Sequence, residues 1–437
     1  MPLDSAITPQ DQQISFRSYL LFWFGQILSI FGSNIVSFVL IWEVTEISGD
    51  NNTILSTTAF IAFIPYVIFP MIAGVLGDKY DKKRIIILAD SLQALFTLGI
   101  IFVFWFGDVQ IWHIMLVSFL RGVTGAFHEP VSFSVMALMV PKDKLSRMNG
   151  LNALLVSSVR IIAPVSAGFL MVFMDSHLIM MIDVVTFFMA LVPLLFLKIP
   201  SVTANENSTK QDNSEKGAVN VDENSESFWS HFKEGIVVIK HIPGLLNLMI
   251  MSTMINFLFQ PLDALLPNFI RFEHGGGKEE LAYIMAAIQV GMFIGAIWMS
   301  LQKKWKHFLT WITIGISSMF IGYIALGIVP SGNFTWLYIV AFSLFLFNPI
   351  VNGLFQTSIQ IMIPPEKMAR IISVLMTVSA LASPLGLLLS GPLADLFGSI
   401  GTLYIVSGIV GLLVCIPQLY SKPAREFFDK GKALLKE

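Results

Sequence analysis

The sequence predicts an all-α polytopic membrane protein, with 12 transmembrane helices arranged as two pseudo-symmetric six-helix bundles. Three observations lead there. The chain of 437 residues is 55% hydrophobic and only 13% charged, with a mean hydropathy of +0.74, whereas a soluble domain carries about 25% charged residues. Its apolar runs approach the roughly 20 residues that cross about 30 Å of hydrocarbon. Its Lys and Arg residues fall in alternate loops.

Taken in order, the apolar runs lie at 17–42, 54–77, 85–106, 111–139, 146–174, 177–198, 243–270, 280–301, 308–329, 334–361, 368–394 and 399–420. The first lacks a small-residue cleavage site and reads as a retained helix, not a signal peptide. Of the 27 basic residues, 23 fall on the side of both chain ends. Arg271 and Lys278 occupy the one opposite loop that breaks the pattern, and Arg121 and Arg160 lie within spans. The positive-inside bias places both termini in the cytoplasm, with the chain multi-pass in the cell membrane.

The single cysteine, Cys415, excludes an intramolecular disulfide and any multi-cysteine metal site. No metal and no cofactor are expected. A net charge of −2 implies no nucleic-acid partner. The absence of GxxxxGK[ST], HExxH and GxSxG motifs argues against an ATP motor and against an enzyme.

Four regions follow. Residues 1–198 form the first six-helix bundle and residues 243–420 the second. Between them, 199–242 is an Asn/Ser-rich cytoplasmic linker. Its end carries Phe228, Phe232, Ile236 and Ile239 at helical spacing, as a short amphipathic helix on the inner leaflet or as the start of span seven. Residues 421–437 form a cytoplasmic tail. The stretch VPKDKLSR at 140–147 is echoed by IPPEKMAR at 363–370, and each follows the fourth span of its own half. Parallel six-helix repeats are a transporter architecture, with the cargo site at the midplane between halves. The expected partners are a small amphipathic substrate, protons and membrane lipids, and the expected unit is a monomer.

Residues 74–84 read GVLGDKYDKKR, and six of the seven residues from Asp78 to Arg84 are charged. The run serves as a topological stop signal, and its glycines and acid ask for more. Gly74 and Gly77 let span two approach a neighbour closely. Asp78 at the membrane edge suits the positive end of a neighbouring helix dipole. Lys79, Lys82, Lys83 and Arg84 suit nearby acids and anionic lipid heads.

This stretch resembles the loop signature of the major facilitator superfamily, Gly-x-Leu-x-Asp-Arg/Lys-x-Gly-Arg/Lys-Arg/Lys, with Asp81 in place of the usual glycine. RGVTG, with Arg121 and Gly125, is similar to the family's element in span four. APVSAG in span five keeps Pro164 and Gly168 of an antiporter motif, with Ala163 and Ala167 in place of glycines. FGSNIVSFVLIWEVTEISG, GAFHEPVSFSVMALMVP and SPLGLLLSGPLADLFG resemble the macrolide-efflux branch of drug:proton antiporters. The resemblance implies the major facilitator fold and a latch between the 74–84 loop and span eleven that holds the cytoplasmic side shut. The corresponding loop of the second half, SLQKKWKHF, has bases but no acid, so the latch is expected from the first half alone.

Five charges fall well inside spans: Arg121, Glu129, Arg160, Asp183 and Asp263. Each costs about 2.5–3.5 kcal/mol at a helix centre on insertion scales and so needs a partner, water or a task. Two bases against three acids leave one carboxylate for proton coupling. Asp263, between Pro261 and Pro267, is the first candidate, then Glu129, then Asp183; five structural ion-pairing groups are the alternative. Met254, Asn256, Phe257, Phe259 and Gln260 on span seven are expected to line the substrate cavity. His128, on the face of Arg121, reads first as a hydrogen-bonded structural histidine, with a place in the cavity or in a proton relay as the alternatives. Glu43 and Glu46 are expected to be solvated, and Asp90 to be a capped group near the inner surface. The function expected is secondary active efflux of amphipathic, macrolide-like drugs by proton antiport through alternating access. A carrier of a specific metabolite, siderophore or lipid on the same fold is the alternative.

Overall fold

The computed structural model describes residues 9–196, 242, 244–302, 305, 307–363 and 365–434. Among them the regular structure is helical, without strands. The first half comprises α1 (Pro9–Ser48), α2 (Asn52–Phe63), α3 (Pro65–Ile68), α4 (Pro70–Lys79), α5 (Lys82–Phe106), α6 (Ile111–Met139), α7 (Lys142–Phe173) and α8 (Ser176–Phe196). The second comprises α9 (Leu245–Asn268, continued by a π turn Phe269–Glu273), α10 (Lys278–Leu301), α11 (Phe308–Ile328), α12 (Phe334–Leu344), α13 (Asn348–Met362), α14 (Pro365–Phe397) and α15 (Ile400–Tyr420). A final helix, α16 (Lys422–Leu434), follows.

Twelve crossings result, because α2–α4 are one span and α12–α13 another. The apolar run 54–77 is not one continuous helix: Pro65 and Pro70 divide it. Proline offers no N–H and clashes with the preceding turn, so each starts a new segment. Span ten breaks at Phe345–Phe347, and Pro349 sits in the first turn of α13. Ten segments are long and apolar enough to cross individually. The broken span two and α6, diluted by Arg121 and His128, complete the set.

Within the first half α1 packs on α6, α7 and α8, and α5 packs on α6 and α8. Within the second, α9 packs on α14 and α15, and α11 on α12, α13 and α15. The halves meet where α2 lies on α14 and α7 on α10. A shift of six spans turns the first of these pairs (spans two and eleven) into the second (spans eight and five). The interface therefore obeys the pseudo-twofold relation that the internal repeat suggested. The tail forms α16, whose Ala424 and Phe427 are fully buried, wedged against Gly244 and the second half. The linker expected at 199–242, with its amphipathic helix, lies outside the described residues apart from Ile242, as do Lys303, Lys304 and Lys306.

Candidate functional site

The halves are tied together at the face opposite the two chain ends. Asn52 Nδ2 and Thr53 Oγ1 donate to the two carboxylate oxygens of Asp395, each at 3.1 Å. Asn268 Nδ2 donates to Asn52 Oδ1 at 3.0 Å. Arg271 pairs with Glu46 at 2.8 Å and lies over the Trp42 ring. Lys278 Nζ donates to the carbonyl of Met171. Arg271 and Lys278, the two bases that broke the loop pattern, are thus spent on the seal. Glu46 is ion-paired and Glu43 accepts from Ser176 Oγ, which corrects the expectation that both are simply solvated. A recess of about 540 Å³ lined by Trp42, Glu46, Arg271 and Glu280 opens on this face. His274, just beyond span seven, is buried edge-on to Phe269. Loss of water there pushes its pKa below the ordinary histidine value, so it is neutral at pH 7.

Two glycines make the seal tight. A Cβ on Gly391 would lie 2.4 Å from the Asn52 carbonyl oxygen and 2.5 Å from Thr53 Cα. A Cβ on Gly168 would lie 2.7 Å from Ala282 Cβ. Pro164 and Gly168, picked out as a motif, therefore sit on the buried α7 face that meets α10. Gly391→Ala should cost the sealed form about 1–3 kcal/mol by overpacking, a shift of roughly 5- to 150-fold toward opening this face. Faster thiol labelling of an Asn52→Cys reporter in that background is the expected result, and an unchanged rate would refute it.

Three of the internal charges are exposed. Asp263 is exposed, although every residue from Ala264 to Ile270 is buried. Arg160 is exposed on the face of α7 that carries the buried Ala163, Pro164 and Ala167, opposite the bilayer-facing Ile162, Phe169 and Phe173. Glu129 is exposed on the face of α6 that holds Gly122 and Gly125 against α2 and Tyr66. None of the three has an ion-pair partner among the described residues. They are exposed charges without the ion pairs that the alternative reading expects of all five.

The first half contains a polar ladder. Arg121 and Asp183 are buried and paired at 2.8 Å, with Arg121 also bonded to Thr97 Oγ1 and the Ser33 carbonyl. Ser33 Oγ and Thr97 Oγ1 donate to Asp183 at 2.9 and 2.7 Å, and Gln93 Nε2 donates to Ser33 Oγ at 2.6 Å. Nearer the open face, His128 lies 3.3 Å from Asp90, and Gln26 bridges them. Asp183 is thus committed to an ion pair, and Asp90 is a half-buried network member rather than a capped surface group. Three helical repeats carry the ladder: Gln26 and Ser33 on α1, Asp90, Gln93 and Thr97 on α5, and Arg121, Thr124 and His128 on α6. The sequence reading caught only the last. Spacings of three, four and seven on α5 were the signal for the rest.

On α9, Asn256 and Gln260 bond to carbonyls one turn back on their own helix. Phe257 lines an apolar pocket of about 190 Å³ with Pro261, Gly386 and Val410, and Met254 is half-buried. Phe259 is not a cleft residue: it stacks between Phe320 and Tyr323 in the core of the second half, as its burial requires.

The sequence profile of the Major Facilitator Superfamily matches residues 22–387. This chain belongs to that superfamily. It is 28% identical over 394 residues to macrolide efflux protein A of Streptococcus pyogenes, covering 90% of this chain and 93% of that one. It is 27% identical over 329 residues to macrolide efflux protein A of Enterococcus faecalis, covering 75% and 97%. In fold it is similar to a bacterial homologue of the human lysosomal transporter Spinster in an inward-facing, unoccupied conformation, with a TM-score of 0.63, 14% identity and 98% of each chain covered.

The superfamily loop is built differently in detail from the expectation. Asp81, the departure from the signature, caps α5 by accepting from Arg84 N at 3.0 Å. Lys82 Nζ closes α4 by donating to the Gly77 carbonyl at 2.7 Å, and Lys83 Nζ donates to the Leu195 carbonyl at 2.7 Å. Gly77 faces Val131 of α6 in its own half, and Gly74 meets nothing within 4 Å. The close approach expected of Gly74 is therefore absent in this conformation. The side chains of Asp78 and Lys79 lie outside the described residues.

Proposed function

We propose that this chain is a secondary exporter of amphipathic, macrolide-like compounds, driven by proton antiport through alternating access. The observation that carries the reading is the bonded face: two pseudo-twofold bundles tied at the end opposite the chain termini, with the charged side chains of Glu129, Arg160 and Asp263 exposed. With both termini cytoplasmic, as the basic loops imply, the seal is external and the cleft takes cargo from the cytoplasm or inner leaflet. Opening requires the Asp395, Glu46 and Lys278 contacts to break and the cytoplasmic loops to close. The macrolide assignment rests on the relatives' similarity along nearly the whole chain.

In a host lacking its own pumps, expression should lower accumulation of macrolides and other amphipathic compounds. A proton uncoupler should abolish the difference. Uncoupler-insensitive efflux would reject antiport, and inward movement of a single metabolite would reject export.

A further inference from the structure

The open-face end of the ladder is built for more than packing. His128 Nε2 lies 3.0 Å from Gln26 Oε1, 3.3 Å from Asp90 Oδ1 and 3.2 Å from Ser132 Oγ. Gln26 Nε2 donates to Asp90 Oδ2 at 3.1 Å, which turns the amide oxygen toward the imidazole. An amide oxygen and a carboxylate only accept, so Nε2 carries the hydrogen and Nδ1 is the basic atom left. Nδ1 makes no hydrogen bond among the described residues. The two side chains keep 17% and 11% of their surface exposed, so water in the cleft reaches them. Two turns deeper the chemistry changes: Arg121 and Asp183 neutralise each other and are shut in.

We propose that His128 is the proton-exchanging group of the transport cycle and that Asp90 is its fixed counter-charge. This rests on the antiport reading above and names the site that performs it. In the outward-open form, water donates a proton to His128 Nδ1. The Nε2–H contact to Asp90 then becomes a charge-assisted ion pair. In the form described here, Nδ1 returns that proton to cleft water on the inner side, while Nε2–H stays on Asp90 and Gln26. One proton crosses per cycle, and no other bond changes.

The charge of the site supplies the coupling. Protonated, the pair is neutral; deprotonated, it leaves one uncompensated carboxylate beside the cleft. A cationic amine on the cargo is therefore attracted on the inner side after the proton has left, and expelled outside when a proton arrives. Proton and cation compete for one negative charge. The groups facing Asp90 are Gln26 on α1, His128 on α6 and, deeper, Asp183 on α8, which is itself paired with Arg121. The Arg121–Asp183 pair contributes no net charge.

The test uses the full chain in proteoliposomes, with a fluorescent amphipathic amine as cargo. Three quantities are read: uphill transport driven by a pH gradient, counterflow without a gradient, and proton release when cargo is added to solubilised protein. His128→Gln should keep counterflow and lose uphill transport and proton release down to the level of empty vesicles. Asp90→Asn should lose all three for the amine, with Asp90→Glu restoring them. Uphill transport or proton release retained by His128→Gln overturns the proposal. Loss of counterflow in both His128→Gln and His128→Asn, with unchanged melting temperatures, would make the residue part of the cargo site and overturns it too. A wild-type protein indifferent to the gradient defeats the antiport reading itself, before any variant is made.

Discussion

Arg121→Leu is expected to destabilise the protein by about 3–5 kcal/mol, because it strands a buried carboxylate rather than merely deleting a contact. Asp183 has no water to turn to: it is 2% exposed, and the Ser33 and Thr97 hydroxyls that remain cannot offset a full charge. Thermal unfolding in detergent should show a large drop in melting temperature, with poor expression. The double variant Arg121→Met with Asp183→Leu should recover most of the loss, since removing both charges also removes both desolvation penalties. A single variant as stable as the parent would show that Asp183 is protonated in the fold and that the pair is not ionic. The same logic separates this pair from Glu129, Arg160 and Asp263, whose substitution should leave stability nearly unchanged because water already reaches them.

Tying the sealed face shut is the second large effect. Cysteines at Asn52 and Asp395, whose side chains now touch at 3.1 Å, should be joined by a short reducible thiol cross-linker. Transport should then fall to background while cargo still binds from the cleft, and reduction should restore activity. The native Cys415 is buried and does not compete. Transport that persists through complete cross-linking would mean that this face need not open, and alternating access would fail for this chain.

Much of the architecture was legible because a membrane punishes exposed backbone and favours long apolar helices. The span boundaries, the repeat at 140–147 and 363–370, and the kinship of the loop at 74–84 all follow from local pattern. The internal charges were recognisable for the same reason, since each is costly where it stands. Their pairing was not legible. Arg121 meets Asp183 across 62 positions, and His128 meets Gln26 across 102. Phe259 illustrates the limit from the apolar side: an aromatic on a cleft-lining helix looks the same in sequence whether it turns to the cleft or to Phe320.

Periodicity along the chain was sufficient for twelve helices and two related halves, because each depends on residues near one another. Which carboxylates are locked and which are open, and which end of the bundle is sealed, were decided only by tertiary structure. A short polar side chain reaches only a few ångströms. Its partner is therefore chosen by how whole helices pack, and the same Asp395 that seals one end here would face water once the bundles tilt.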